Sequence, residues 1–266
     1  MTRPSAVAAG FTAVFTAVGA LTAACSANRS TEPPQRTLTV LAASSLTGSF
    51  QQLATTFQSR HPGVHVRFSF DSSATLAEQV VQGAPADVLA TADTSTMHTA
   101  VAAHANAGPP TLFASNVLVL IVPKSDPARI KRFSDLDKPG VSWVMCVPSA
   151  PCGALAQAEL KAHHITGKPK SQEIDVKAVL TKVATGNADA GLVYATDAQS
   201  EAKRVRAIPI PHSAHFVNEY PIVALKDSGH PALARAWVHL VLSPQGQRVL
   251  RAAGFGRPSG HGTRAP

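Results

Sequence analysis

"LTVLAASSLTGSF", residues 38–50, changes character halfway along. Leu38 to Leu41 form a short run of strand type, and Leu46, Phe50, Leu53, Ala54 and Phe57 then recur at helical spacing. Between the two lie Ala42, Ala43, Ser44 and Ser45, without charge or bulk. A strand that passes into a helix through such residues presents unpaired N–H groups, and the positive end of the helix dipole, to whatever lies beyond the sheet.

The same arrangement recurs down the chain. "VHVRFSF" alternates as a strand and leads into "DSSATLAEQVVQG", a helix opened by Ser72 and Ser73 and stopped by Gly83, after which "ADVLATAD" supplies another strand. "NVLVLIVPK" reads as one long apolar strand. "VSWVMCV" feeds through Pro151, Cys152 and Gly153 into the helix "GALAQAELKAH", and "DVKAVLTKVATG" is a helix with Asp175 as its cap and Gly186 as its stop. "AGLVYATDA" is a strand running into a further turn or helix, "EYPIVAL" a late strand, and "PALARAWVHLVLSPQGQRVLRAAGF" two helices broken near Pro244. Repeated strand–helix alternation predicts an α/β fold with largely parallel sheets. Two crossings, at "NVLVLIVPK" and "FVNEYPIVAL", predict two lobes: residues 37–113 with 218–257, and an inserted 114–217. Lobes joined in this way can hinge.

Composition narrows the function. The 266 residues, 45% of them hydrophobic, suffice for one large or two modest cores, and only 5% are aromatic, a balance that suits strands and helices better than an all-β sandwich. The net charge of +8 invites a nucleic-acid reading. Yet Lys and Arg are scattered in ones and twos, as in "PARIKRF" and "EAKRVRA", without a basic stripe or stacking platform, so no nucleic-acid partner is expected. A positive field still helps to attract an anion.

The first residues, "MTRPSAVAAGFTAVFTAVGALTAAC", carry one Arg and an uncharged run from Ala6 to Leu21, shorter than the about 20 residues that span a bilayer, and read as an export signal. Leu21-Thr22-Ala23-Ala24-Cys25 resembles a bacterial lipobox. The resemblance implies a signal peptide over 1–24, acylation of Cys25, a tether over 25–36, and a folded part anchored by lipid at the outer face of the cytoplasmic membrane. Residues 258–266 are expected to form a flexible tail. In an oxidising compartment Cys146 and Cys152, in "CVPSAPCG", are expected to pair as a disulfide, with two buried free thiols as the alternative.

Taken singly, a Ser or Asp at a helix start is a cap. Four strand-to-helix turns in an exported two-lobed chain point further, to a cleft that holds a small oxyanion through neutral donors beyond the carboxyl ends of the strands. An enzyme is the competing class, given abundant Ser and 11 His, including "HH" at 163–164 and "HSAH" at 212–215. Neither a G-x-S-x-G elbow nor an H-E-x-x-H motif is present in the sequence.

The series "LAASSLTGSFQQLATTF", "SFDSSATLAEQVVQGAPADVLATAD", "LFASNVLVLIVPK", "GLVYATDA" and "EYPIVAL" is similar to the molybdate-binding proteins of bacterial molybdate ABC importers, which are class II periplasmic-type solute-binding proteins. The resemblance runs from about Thr37 to Gly256. It implies a monomeric binder that delivers molybdate, and tungstate, to a membrane permease, with no catalytic residue, no cofactor and no bare metal cation. Matched motif to motif, it implies Ser45 and Ser73 as hydroxyl donors, Cys152 (where the family often has Ala) and Val176 as main-chain donors, and Tyr194 as the phenol. A site made only of donors would reject phosphate, whose remaining proton needs an acceptor. Sulfate is the nearer rival ligand, and a secreted serine hydrolase the remaining alternative.

Overall fold

The computed structural model describes residues 35–258. The expected signal peptide, Cys25, the tether as far as residue 34 and the tail from residue 259 lie outside the described residues. Arg36, expected to end the tether, already belongs to the first strand, and its N–H donates to the Gly63 carbonyl at 2.8 Å.

Two five-stranded sheets carry the fold. In the first, β1 (Arg36–Ala43) lies between β2 (Val64–Asp71) and β3 (Val88–Ala90) and runs parallel to both. It continues antiparallel through β10 (Asn218–Ala224) to β4 (Thr111–Asn116). The second is built on β6 (Trp143–Cys146), parallel to β7 (Ser171–Glu173) and β8 (Ala190–Tyr194). It is completed by β5 (Leu118–Pro123), which is antiparallel to both β8 and β9 (Val205–Pro209).

The sheets are therefore mixed rather than largely parallel, for a topological reason. β5 and β10 each enter their sheet from the other lobe and begin where the neighbouring parallel strands end, so they must run the opposite way. Leu118 stands opposite Tyr194, the last residue of β8, and Asn218 stands opposite Asn116, the last residue of β4. "NVLVLIVPK" is consequently not one strand: Asn116 closes β4 in the first sheet and Leu118 opens β5 in the second. The chain changes sheet at Val117, a few residues beyond the expected 113/114 boundary, and changes back before Asn218. Pro221 sits inside β10, where the register shifts between Tyr220 and Pro221, a bulge that accommodates a residue unable to donate to the ladder.

Helices follow the strand ends as the sequence predicts. A short 3-10 turn, Ser44–Leu46, continues into α1 (Thr47–Arg60), and α2 is Ser73–Val81. α3 (Thr94–Ala102), capped by Asp93, had no clear apolar period to announce it. α4 is Pro151–Ala162, α5 Val176–Ala184 and α6 Ala195–Ser200. α7 (Pro231–Leu242) and α8 (Pro244–Ala252) break at Ser243, whose hydroxyl accepts the Gly246 N–H. The core of the first lobe closes around Trp237 of α7, which Phe50, Phe57 and Phe68 approach at 5.5, 5.4 and 5.7 Å between ring centroids. Among the described residues, no helix is long and apolar enough to cross a membrane.

One buried group makes stability depend on pH. Glu159 of α4 is fully buried, with His163 at 3.5 Å one turn along, and burial pushes its carboxyl up to about 7. A carboxyl raised in the folded state stabilises fully below the ordinary carboxylate range, and that stability is lost as pH rises through about 7. Glu159→Gln should therefore match the native protein at pH 4 and exceed it at pH 8. Urea midpoints at the two pH values measure this, and a native midpoint with no alkaline decline relative to the variant would contradict it.

Candidate functional site

The parallel strands of both sheets end toward one gap, and the residues there are small or polar. A small pocket is lined by Ala43, Ser44, Ser45, Asp71, Ser72, Ser73 and Ala92 from the first lobe and by Pro151, Cys152, Asp175, Val176 and Tyr194 from the second. All five residues proposed from the sequence, Ser45, Ser73, Cys152, Val176 and Tyr194, meet in this one pocket. Among the described residues, no Lys, Arg or His lines it.

Four of the five sit at helix starts. Ser45 lies in the 3-10 turn that opens α1, Ser73 is the first residue of α2, Cys152 the second of α4 and Val176 the first of α5. Standing in the first turns of their helices, these four residues have N–H groups with no acceptor inside the helix. That is the expected state of a first helical turn whose acceptor comes from outside the chain. Asp175 and Asp71 bring carboxylates into the wall, but each is turned onto backbone. Asp175 accepts the N–H groups of Lys177 and Ala178 at 2.7 and 3.0 Å, and Asp71 accepts that of Ser72 at 2.6 Å. Lys177, the cation nearest Val176 in sequence, is held 2.9 Å from the fully buried Asp197 carboxylate.

The hydroxyls of the pocket are also oriented. Ser73 Oγ accepts the Ala92 N–H at 2.9 Å, which leaves its own hydrogen free to be given. Ser45 Oγ lies 3.0 Å from Tyr220 Oη, and Tyr194 Oη accepts from Asn218 Nδ2 at 2.6 Å. Burial foremost, then the neighbouring Tyr220, holds the Tyr194 phenol well above its ordinary range, and burial does the same for Tyr220. Both phenols remain protonated and able to donate.

The turn into α4 is held by two constraints. Cys146 at the end of β6 and Cys152 form a disulfide with Cα atoms 5.8 Å apart. Gly153 passes so close to the end of β6 that a Cβ would meet the Val147 carbonyl oxygen at 1.8 Å, so only glycine allows this approach. Sequence reasoning placed Gly153 in this turn without its close approach, and it missed Asn116, Asn218 and Tyr220 as parts of the site. The signal for these three was present: buried-type polar residues at the two crossing segments, Asn116 in "FASNVL" and Asn218 with Tyr220 in "VNEYPI". Among the described residues, no group of three or more His, Cys, Asp or Glu is placed to hold a metal ion. His212 and His215 lie exposed on a 3-10 turn.

Residues 38–256 match the family model for bacterial extracellular solute-binding proteins. The chain belongs to this family. This solute-binding protein is 42% identical over 241 residues to the molybdate-binding protein ModA of Mycobacterium tuberculosis, a match covering 88% of this chain and 92% of that one. Its fold is shared with the periplasmic molybdate-binding protein of Azotobacter vinelandii, at a TM-score of 0.74 and 22% identity over 83% of this chain and 99% of the other. It is shared equally with the sulfate-binding protein SubI of Mycobacterium tuberculosis, at a TM-score of 0.75 and 18% identity over 85% and 88%. The fold alone therefore does not separate the two anions.

Replacing Cys146 and Cys152 together by Ser should lower the unfolding free energy by about 2 kcal/mol, as expected for closing so short a loop. Denaturant unfolding of the double variant measures this, and an unchanged midpoint would show that the bridge adds no stability.

Proposed function

We propose that this protein captures molybdate, and tungstate, outside the cytoplasm and delivers it to the permease of an ABC importer. The observation that carries this reading is the lining of the pocket: hydroxyl and main-chain donors from both lobes converge on one small space without a single cation. Each hydrogen bond to a charged group contributes about 1.5–3 kcal/mol. Several around one dianion therefore bind it tightly while leaving its charge to be balanced by dipoles. Such a site favours the fully ionised ligand, because a proton left on it would need an acceptor that the hydroxyl and main-chain donors do not supply.

The choice of molybdate over sulfate rests on the 42% identity to a molybdate-binding relative and on the larger size of molybdate, which a cavity can measure. Molybdate and tungstate are nearly equal in size and are taken alike. Acylation of Cys25 would hold the protein at the membrane beside its permease, with the residues that follow acting as a tether. Hydrolysis is disfavoured by the surroundings of the serines. Ser45 is bonded to a tyrosine and Ser73 to a main-chain N–H, and no histidine lines the pocket to take a proton from either.

Titration calorimetry of the mature protein with molybdate, tungstate, sulfate and phosphate tests the proposal. Tight binding of the first two, weak binding of sulfate and none of phosphate is expected; tight sulfate binding with no response to molybdate would overturn it. Ser73→Ala and Tyr194→Phe should each weaken molybdate binding about 10- to 100-fold while leaving the fold intact. Unchanged affinity in both would remove these residues from the site.

A further inference from the structure

The two buried asparagines at the lobe crossings do more than fill space. Asn116 ends β4 and Asn218 begins β10, directly opposite one another, and both are almost fully buried. The Nδ2 group of Asn218 lies 3.2 Å from the Pro151 carbonyl and 2.6 Å from Tyr194 Oη. A carbonyl oxygen only accepts, so this end of the amide must be the NH2, and its second hydrogen goes to the tyrosine. Asn116 is oriented in the same way: its Oδ1 accepts the Val117 N–H at 3.1 Å. Its Nδ2 hydrogens then point to Thr196 Oγ1 at 2.9 Å and, in a longer contact of 3.5 Å, to Tyr220 Oη.

These orientations set the direction of every hydroxyl that follows. Tyr194 Oη accepts from Asn218, so its own hydrogen must be given away, either to Tyr220, with which it interacts, or to a ligand in the pocket it lines. Tyr220 Oη takes the 3.5 Å contact from Asn116 and lies 3.0 Å from Ser45 Oγ, and with its lone pairs engaged by Asn116 its hydrogen is best placed on Ser45. Ser45, having accepted, has its own hydrogen left for the pocket. Two short chains thus run from the crossings to the ligand, Asn218 to Tyr194 and Asn116 to Tyr220 to Ser45, each with one polarity.

We propose that Asn116 and Asn218 are positioning residues that fix this polarity, keeping Tyr194 and Ser45 as donors, and that they thereby exclude oxyanions that still carry a proton. Without them a hydroxyl could reverse, expose a lone pair and accept the hydrogen of a monohydrogen phosphate or arsenate. With them, donation into the pocket is the favoured orientation, and a fully deprotonated tetrahedral anion is preferred over one that keeps a proton. The proposal rests on the pocket being the oxyanion site, and its test is arranged to tell the two apart.

The test is a double-mutant cycle read by calorimetry with molybdate and with phosphate at pH 8. Asn218→Leu should weaken molybdate binding about tenfold or more in the native protein but less than about twofold in the Tyr194→Phe background. The ratio of molybdate to phosphate affinity should narrow about tenfold in the single variant, because the released phenol can now accept. An equal loss in both backgrounds, with the ratio unchanged, is what a merely structural role gives, and it would overturn the proposal. If Tyr194→Phe alone leaves molybdate binding unchanged, the reading of the site itself has failed, and the proposal falls with it. Asn218→Ala, and Asn116→Leu cycled against Ser45→Ala, keep the test decisive should the leucine variant at 218 not fold.

Discussion

The N–H groups in the first turn of a helix have no acceptor within their own helix, and leaving such a donor buried and unpaired costs about 1–3 kcal/mol. In this protein four such turns, at Ser45, Ser73, Cys152 and Val176, face a single pocket. The arrangement is tolerable because a ligand rich in acceptors can complete all four at once. Much of the architecture follows from gathering them. The parallel strands must end toward the cleft, the segments that join the lobes must enter beside those ends, and the residues at the turns must be small enough for an oxyanion to reach the main chain.

The same constraint explains why charge is kept away. A Lys or Arg in the pocket would bind any anion, protonated or not, whereas fixed dipoles reward complete ionisation and correct size. Lys177 is accordingly tied to buried Asp197, and each of the two carboxylates in the wall accepts N–H groups at a helix start. Rigidity is added where the second lobe makes its closest turn, by the Cys146–Cys152 bridge and by the approach that only Gly153 permits. The asparagine–tyrosine pairs at the crossings add direction, so that the joint between the lobes and the chemistry of the pocket share residues.

Much of this was legible in the sequence because it is local. A strand followed by small residues and a helical period can be read within about fifteen positions, and "AASSL", "DSSATL", "PCG", "DVKAVL" and "VYATDA" each announce a turn that the fold brings to the pocket. What was not legible depends on partners far apart in the chain. The antiparallel entry of β5 and β10 follows from lobe connectivity, so "NVLVLIVPK" looked like one strand although its first residue belongs to a different sheet from its remainder. Asn218 meets Tyr194 across 24 positions and Ser45 meets Tyr220 across 175, separations at which no periodicity survives. β7, β9 and α3 are short or lack a clear apolar face, and only tertiary contacts define them.

The most direct measurement is a crystal structure of the mature protein grown with molybdate. The account predicts one tetrahedral anion between the lobes, with oxygens within hydrogen-bonding distance of Ser45 Oγ, Ser73 Oγ, Tyr194 Oη and the main-chain N–H groups of Cys152 and Val176, and with no Lys or Arg nitrogen in contact. An anion bound elsewhere, or bound in this pocket against a cationic side chain, would contradict it.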